Sequence, residues 1–160
     1  MDLKSKIILI YGPTASGKSD LAIYLAKKIN GEIINADSMQ VYKEIKILSA
    51  RPNNYYGIKH HLYGFLSVKE NFSTGKWLRL VEKKIVHITK KKKIPIIVGG
   101  TGLYFKSILD GLAVIPNITH TKRQKIIKLY NKIGKEKFYK KLIKIDPECK
   151  DKISPRDKQR

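Results

Sequence analysis

The sequence predicts an α/β fold, in which helices flank a parallel β-sheet and a small helical insertion follows toward the C-terminus. Continuous apolar runs of strand length alternate with longer segments of helical periodicity, and glycine-containing turns separate them. Such runs are typical of parallel strands, which helices cover on both faces. With 160 residues and 42% hydrophobic content, the chain is long enough for one packed domain with a small appendage.

A strand–helix–strand unit opens the chain. The apolar run 6–11 predicts a buried strand, and Gly12-Pro13 closes it. A helix begins at 16–19 and ends at Asn30-Gly31, with apolar positions three and four residues apart. The run 32–37 predicts the next strand, which completes a βαβ unit.

The next part of the chain, from residue 38 to residue 111, is less regular at its start. We predict, in order, a short helix over 40–45, a strand over 61–65, a helix over 74–92, a strand over 94–98 and a helix that ends at Leu109. The strand over 94–98 is the clearest of these, and Gly99-Gly100 ends it.

The character of the sequence changes after Pro116. Two amphipathic helices are predicted over 121–133 and 135–145, and Gly134 separates them. We therefore predict three parts, which are a core over 1–116, a helical insertion over 117–153 and a return toward the core over 154–160.

The formal net charge is +21, from 34 basic and 13 acidic residues. This excess favours a polyanionic partner through counterion release, although a lysine-rich composition would produce it too. No apolar run is long enough to span a bilayer, and no signal peptide precedes the first strand. Together with the single cysteine, these features predict a cytoplasmic protein that does not associate with membranes.

Residues 12–19 match the P-loop pattern G-x-x-x-x-G-K-[ST] between a strand and a helix, which predicts a P-loop NTPase-like fold. Inward-pointing amides and the helix N-terminus bind an anion. Lys18 is expected to reach phosphate oxygens, and the Ser19 hydroxyl is expected to bind Mg²⁺. The predicted phosphate-binding set is Gly12, Pro13, Thr14, Ala15, Ser16, Gly17, Lys18 and Ser19. A nucleotide such as ATP and a diphosphate donor would satisfy the same amides.

Asp37 is a candidate catalytic residue. The strand over 94–98 ends in Gly99-Gly100-Thr101, without the acid that ATPases use. The strand that ends at Asp37 follows the first helix directly, so we expect it to lie next to the first strand. A carboxylate there would hold Mg²⁺ indirectly or act as a general base.

Several blocks together resemble the tRNA dimethylallyltransferase (isopentenyltransferase) family. They are Gly12–Ser19, Asn35–Tyr42, Ala50-Arg51-Pro52, His60-His61-Leu62, Phe72-Ser73, Pro95–Tyr104 and Pro155–Arg160. The P-loop alone is unspecific, but Asp-Ser-x-Gln-x-Tyr joined to Val-Gly-Gly-Thr-Gly-Leu-Tyr is specific to this family. The blocks span essentially the whole chain, whereas family members continue past the last block, so this chain resembles a C-terminally truncated member.

The resemblance implies transfer of a dimethylallyl group from dimethylallyl diphosphate to the exocyclic amine of the adenosine beside the tRNA anticodon. Asp37 would take the amine proton and Thr101 would orient the base, while Lys18 and Mg²⁺ stabilise the leaving diphosphate. The lysine-rich helices would grip the anticodon stem-loop of the tRNA, with the protein as a monomer. The implied tRNA contacts are Asp37, Ser38, Met39, Gln40, Thr101, Arg123, Gln159 and Arg160.

Three alternatives remain open from the residues. A P-loop kinase shares the loop and Mg²⁺, but it would use an arginine-rich lid, and arginine is sparse here. A tRNA-binding fragment without catalysis is the second alternative. A prenyltransferase that uses a free adenine nucleotide is the third, and the charge of +21 favours tRNA over it.

Overall fold

The computed structural model describes residues 6–53, 55–113 and 118–157. The chain forms two compact units, Met1–Ala113 and Val114–Arg160. The first unit contains a parallel sheet, as the sequence predicts. Its four strands, in sheet order, are β1 (Ile8–Tyr11), β4 (Ile94–Gly99), β2 (Gly31–Asn35) and β3 (His60–His61).

The strand order corrects one expectation. β4 lies between β1 and β2, so the strand that precedes Asp37 is not next to the strand that precedes the P-loop. The connection through α1 (Lys18–Ile29) therefore skips one strand position. Because all pairs are parallel, β1 and β2 still end at the same edge of the sheet, and Val98 pairs with both Ile10 and Asn35.

Two apolar clusters cover the two faces of the sheet. Alternate residues of the central strands face opposite sides, so Ile33 and Ile96 belong to one cluster, while Ile34 and Ile97 belong to the other. The first cluster packs against α1. The second packs against α2 (Thr74–Lys90) and α3 (Gly102–Leu109).

Several predicted elements differ from those observed. Residues 40–50 form consecutive turns instead of a helix over 40–45, and β3 has two residues instead of five. β1 is less buried than predicted, since Tyr11 is 63% exposed. It lies at an edge of the sheet, whereas β2 and β4 have neighbours on both sides.

The second unit contains α4 (His120–Ile145) and a short 3₁₀ helix over 147–151. Gly134 has φ 76° and ψ 167°, so two helical segments meet at a kink there, as its position in the sequence predicts. The predicted boundary at Asn117 lies outside the described residues, and the three-part division stays a prediction. In the part of the chain that the structure describes, no helix is both long and apolar enough to cross a membrane.

Glu32 in β2 is a buried charge, with 1% of its surface exposed. His61 Nε2 donates to Glu32 Oε2 at 2.7 Å, and Lys93 Nζ lies 3.1 Å from Glu32 Oε1. Burial by itself raises the pKa of Glu32, but His61, Lys93 and Lys91 together hold it below the ordinary value of 4.5. These contacts therefore keep the carboxylate charged inside the sheet.

We expect Glu32→Gln to lower the free energy of unfolding at pH 7 by about 2 kcal/mol, because hydrogen bonds to a charged group are lost. A carboxyl whose pKa is lowered by folding stabilises above its unfolded-state pKa and loses this effect as the pH falls through its folded-state pKa. In urea unfolding, the difference between wild type and variant should therefore shrink below about pH 4.5. Glu148→Gln, which breaks an exposed pair with Lys152, is the control, and equal losses in both variants would contradict the prediction.

Candidate active site at the phosphate-binding loop

The P-loop connects β1 to α1, and two of its residues have a positive φ. Gly17 caps the helix in the left-handed region at φ 76°, and Ala15 also has a positive φ of 62°. Ser16 Oγ donates to the Pro13 carbonyl oxygen at 2.9 Å. The Lys18 ammonium donates to the same carbonyl and to Ser16 Oγ, so it lies over the loop.

A cavity of about 400 Å³ lies at the carboxyl edge of the sheet. It brings Asp37 from the end of β2 together with the P-loop, as the sequence predicts for a carboxylate at this edge. Its lining residues are Thr14, Ala15, Ser16, Gly17, Lys18, Ser19, Asp20, Asp37, Gln40, Ser49, Ala50, Tyr63, Val98, Gly99 and Gly100. The P-loop, Asp20 and Asp37 therefore line the same space.

Thr101 forms hydrogen bonds to Ser38, the residue that follows Asp37. Its Oγ1 accepts a hydrogen bond from the Ser38 N–H at 2.9 Å and donates to Ser38 Oγ at 3.2 Å. The Asp37 carboxylate itself accepts from the Met39 N–H, through Oδ1 at 2.8 Å. Thr101 therefore holds the turn that contains Asp37, without a direct bond to the Asp37 side chain.

Gly99 is the point where β4 approaches this turn most closely. A Cβ atom at Gly99 would lie 2.2 Å from the carbonyl carbon and oxygen of Ala36 and 2.7 Å from the Asp37 nitrogen. The Thr101 N–H donates to the Ala36 carbonyl at 3.2 Å. The absence of a side chain at Gly99 therefore lets the chain just before Asp37 pass close to β4.

Two tyrosines near Asp37 remain neutral phenols. Burial raises the pKa of Tyr63 above its ordinary value of 10.0, and the charges of Tyr55 and Asp37 act in the same direction. Burial also raises the pKa of Tyr104 to about 12, with Tyr42 and Asp37 contributing. Tyr63 is one of the residues that line the cavity, so its wall includes a neutral phenol.

The oxygen atoms of the cavity fit a hard divalent cation. The Ser19 hydroxyl and the carboxylates of Asp20 and Asp37 line the same space, and Mg²⁺ prefers such oxygen ligands. Across residues 6–53, 55–113 and 118–157, no group of three or more His, Cys, Asp and Glu side chains could hold a metal ion. A Mg²⁺ ion bound there would therefore need further oxygen ligands, such as those of a phosphate or of water.

The predicted phosphate-binding residues are mostly in the cavity wall. Residues 14–19 line it, whereas Gly12 and Pro13 do not, and the Pro13 carbonyl accepts hydrogen bonds from Ser16 and Lys18. Of the predicted tRNA contacts, Asp37 and Gln40 line the cavity, and Met39 is 54% exposed.

The remaining predicted contacts are distributed differently. Ser38 and Thr101 bond to each other next to the cavity. Arg123 lies in the first turn of α4, in the second unit, with an exposed side chain. Gln159 and Arg160 lie outside the described residues.

Besides Val98, Gly99 and Gly100 at the end of β4, the predicted site lacks five residues in or beside the cavity, namely Asp20, Asn35, Ser49, Ala50 and Tyr63. Asn35 had a local signal, because an asparagine two positions before a turn residue commonly bonds to that residue's N–H. Asp20 lies in the first turn of α1, where an acid is common at a helix start. The other three come from the turns over 40–50 and from the segment after β3, which no local pattern places.

Two family models match the chain. The isopentenyl transferase model matches residues 5–60, and the IPP transferase model matches residues 40–160. The chain belongs to the IPP transferase family. The specific blocks of the sequence and the cavity that joins the P-loop to Asp37 are thus found within a member of this family.

Curated relatives are similar along the whole chain. A tRNA dimethylallyltransferase of Pelagibacter ubique (strain HTCC1062) is 63% identical over 100% of this chain and 52% of its own length. A tRNA dimethylallyltransferase of Rickettsia bellii (strain OSU 85-389) is 49% identical over 98% of this chain and 50% of its own length. The chain therefore spans about half the length of the curated relatives it matches.

Solved structures of the family show the same fold. A eukaryotic dimethylallyltransferase that acts on tRNA superimposes with a TM-score of 0.80 at 34% identity, over 96% of this chain and 39% of that one. The tRNA isopentenylpyrophosphate transferase of Bacillus halodurans superimposes with a TM-score of 0.68 at 34% identity. The match covers 94% of this chain and 51% of that one. The P-loop NTPase-like α/β fold that the sequence predicts is confirmed.

Proposed function

We propose that this chain carries the donor-binding and proton-accepting groups of a tRNA dimethylallyltransferase. The reaction moves a dimethylallyl group from dimethylallyl diphosphate to the exocyclic amine of the adenosine beside the anticodon. One observation carries the proposal, namely that the P-loop and Asp37 line a single cavity of about 400 Å³. The names of the relatives describe enzymes of this kind.

The P-loop is suited to hold the diphosphate of the donor. The loop amides and the N-terminus of α1 present partial positive charge, and the Lys18 ammonium already lies over the loop. As the bond between the allylic carbon and the bridging oxygen breaks, negative charge grows on the diphosphate, and these groups stabilise it. Ser19 and Asp20 would hold Mg²⁺, which would neutralise further charge on the leaving group when bound.

Asp37 is suited to accept the proton of the adenosine amine. Its Oδ1 accepts from the Met39 N–H, and its Oδ2 has no hydrogen-bond partner among the described residues. As the amine nitrogen bonds to the allylic carbon, Oδ2 takes the proton and the diphosphate leaves. A neutral adenine amine is a weak nucleophile, so removal of this proton makes the transfer favourable.

A tRNA acceptor fits the charge of the molecule. The chain carries a net charge of +21, and the lysine side chains of α4 are exposed to solvent. Basic side chains on a helix are suited to RNA phosphates, so we assign α4 to the anticodon stem-loop. The proposal includes a monomer in the cytoplasm, and the free thiol of Cys149 agrees with a reducing compartment.

The test is a transfer assay with the chain, Mg²⁺, dimethylallyl diphosphate and unmodified tRNA. Prenylated adenosine is measured by mass spectrometry after digestion of the RNA. We expect product with the wild type, and we expect Lys18→Ala to weaken donor binding by about 10- to 100-fold, because a hydrogen-bonded charge pair with phosphate is lost. Lys28→Ala changes an exposed lysine at the other end of α1 and should bind the donor normally.

The outcomes separate the alternatives. No product with normal donor binding would contradict catalysis by this chain and would leave a phosphate-binding fragment. Phosphate transfer from ATP without prenyl transfer would establish the kinase instead. Equal donor affinity of Lys18→Ala and wild type would show that the P-loop is not the donor site.

A further inference from the structure

Asn35 is a buried polar side chain that the proposed chemistry does not use. It is the last residue of β2 and is 0% exposed. Its Oδ1 accepts from the Asp37 N–H at 2.9 Å, and its Nδ2 donates to the Asp37 carbonyl oxygen at 2.9 Å. One side-chain amide therefore bonds to both the N–H and the C=O of Asp37.

We propose that Asn35 is a positioning residue that fixes the Asp37 carboxylate in the cavity. This inference rests on the proposed function, in which Asp37 takes the proton. The two bonds restrain the backbone dihedral angles of Asp37 from both sides, and these angles set the direction of its Cα–Cβ bond. The bond from the Met39 N–H to Asp37 Oδ1 then fixes the rotation of the carboxylate.

Asn35 is itself held from two directions. Its Nδ2 donates a second bond to the Leu62 carbonyl at 3.1 Å, on the segment that follows β3. Its main-chain oxygen accepts from the Trp77 Nε1–H at 3.0 Å. Trp77 is 0% exposed and stacks on Tyr104 with ring centroids 4.0 Å apart. The packed core of the first unit therefore determines where Asn35, and through it Asp37, can lie.

Both polar groups of the Asn35 side chain form hydrogen bonds. The side-chain oxygen has one donor and the side-chain nitrogen has two acceptors, all within 3.1 Å. An apolar side chain would fill the space but leave the Asp37 N–H and C=O unbonded in a partly buried place. The pattern therefore indicates a residue that acts on Asp37, in addition to its place in the β2 core.

Two substitutions remove the hydrogen bonds of the Asn35 side chain to different extents. Asn35→Ala removes all three side-chain bonds. Asn35→Ser retains an oxygen that can accept from the N–H two residues later, but it lacks the amide donor. Ser107→Ala is the matched control, because it removes a buried bond to the Tyr104 carbonyl at 2.8 Å without contact to Asp37.

The first measurement is steady-state prenyl transfer, with melting temperatures recorded for every variant. We expect Asn35→Ala to lower kcat by about 100-fold with unchanged KM for dimethylallyl diphosphate, because a displaced catalytic group slows chemistry without weakening donor binding. Asn35→Ser should lie between Asn35→Ala and the wild type. A kcat for Asn35→Ala no lower than that of Ser107→Ala would overturn the proposal, provided that their melting temperatures are similar.

The second measurement does not require catalysis. Hydrogen exchange of the Met39 amide, measured by NMR, reports whether the Asp37 carboxylate still occupies its position. We expect slow exchange in the wild type and Ser107→Ala, and faster exchange in Asn35→Ala. If the wild type transfers no prenyl group, the proposed function fails, and this exchange alone decides the positioning role. Equal exchange rates of the Met39 amide in the wild type and Asn35→Ala would overturn the positioning role of Asn35.

Discussion

Asp37→Asn is expected to reduce prenyl transfer by about 10²- to 10⁴-fold, the usual contribution of a positioned general base. The asparagine side chain retains an oxygen that can accept from the Met39 N–H, so the turn should keep its shape. What it loses is the capacity of the second oxygen to take a proton from the adenosine amine. Single-turnover transfer to an anticodon stem-loop RNA measures the effect directly.

Donor binding separates this prediction from a general loss of structure. Asp37→Asn should bind dimethylallyl diphosphate at least as well as the wild type without added Mg²⁺, because it removes a negative charge from a cavity that takes an anion. Asp110→Asn is a suitable control, since Asp110 follows α3 and is exposed. Transfer by Asp37→Asn at the rate of this control would show that Asp37 is not the base.

The parts of the fold that follow local rules were predictable from the sequence. The P-loop pattern predicts both the turn and the start of α1, because the residues that determine them lie within the eight residues of the pattern. The strand over 94–98 and the helix over 74–92 are observed as β4 and α2, with bounds that differ by no more than two residues. Gly134 interrupts α4 where its flexibility predicts a break.

The parts that depend on long-range packing were not predictable. Nothing between β1 and β2 shows that a strand from about sixty residues later, β4, lies between them. The apolar pattern over 40–45 resembles a helix, yet the chain turns there, and the Gln40 amide bonds to the Ser49 carbonyl at 3.0 Å. The bond from the Asp37 N–H to Asn35 has a local signal, but the bonds of Asn35 to Leu62 and Trp77 depend on long-range packing.

Gly99→Ala is expected to destabilise the first unit strongly, because the added methyl group would meet backbone atoms. The new Cβ would lie 2.2 Å from the backbone of Ala36, and backbone atoms cannot move aside as a flexible side chain can. β2 and β4 would have to separate at their carboxyl ends, which would disturb the bond from the Ala36 N–H to the Val98 carbonyl at 2.8 Å. We expect a loss of about 3 kcal/mol in the free energy of unfolding, at the upper end for an overpacked core.

Gly75→Ala is the matched control, because the same methyl group there meets only Leu112 Cδ1 at 3.8 Å, an ordinary contact. Since Gly75 lies in α2, alanine should stabilise the protein slightly, by up to about 1 kcal/mol. In urea unfolding, the midpoint concentration should therefore be lower than that of the wild type for Gly99→Ala and slightly higher for Gly75→Ala. A Gly99→Ala midpoint equal to that of the wild type would mean that β2 and β4 are not in close contact next to Asp37. In that event, the juxtaposition of Asp37 with the P-loop would lose its structural basis.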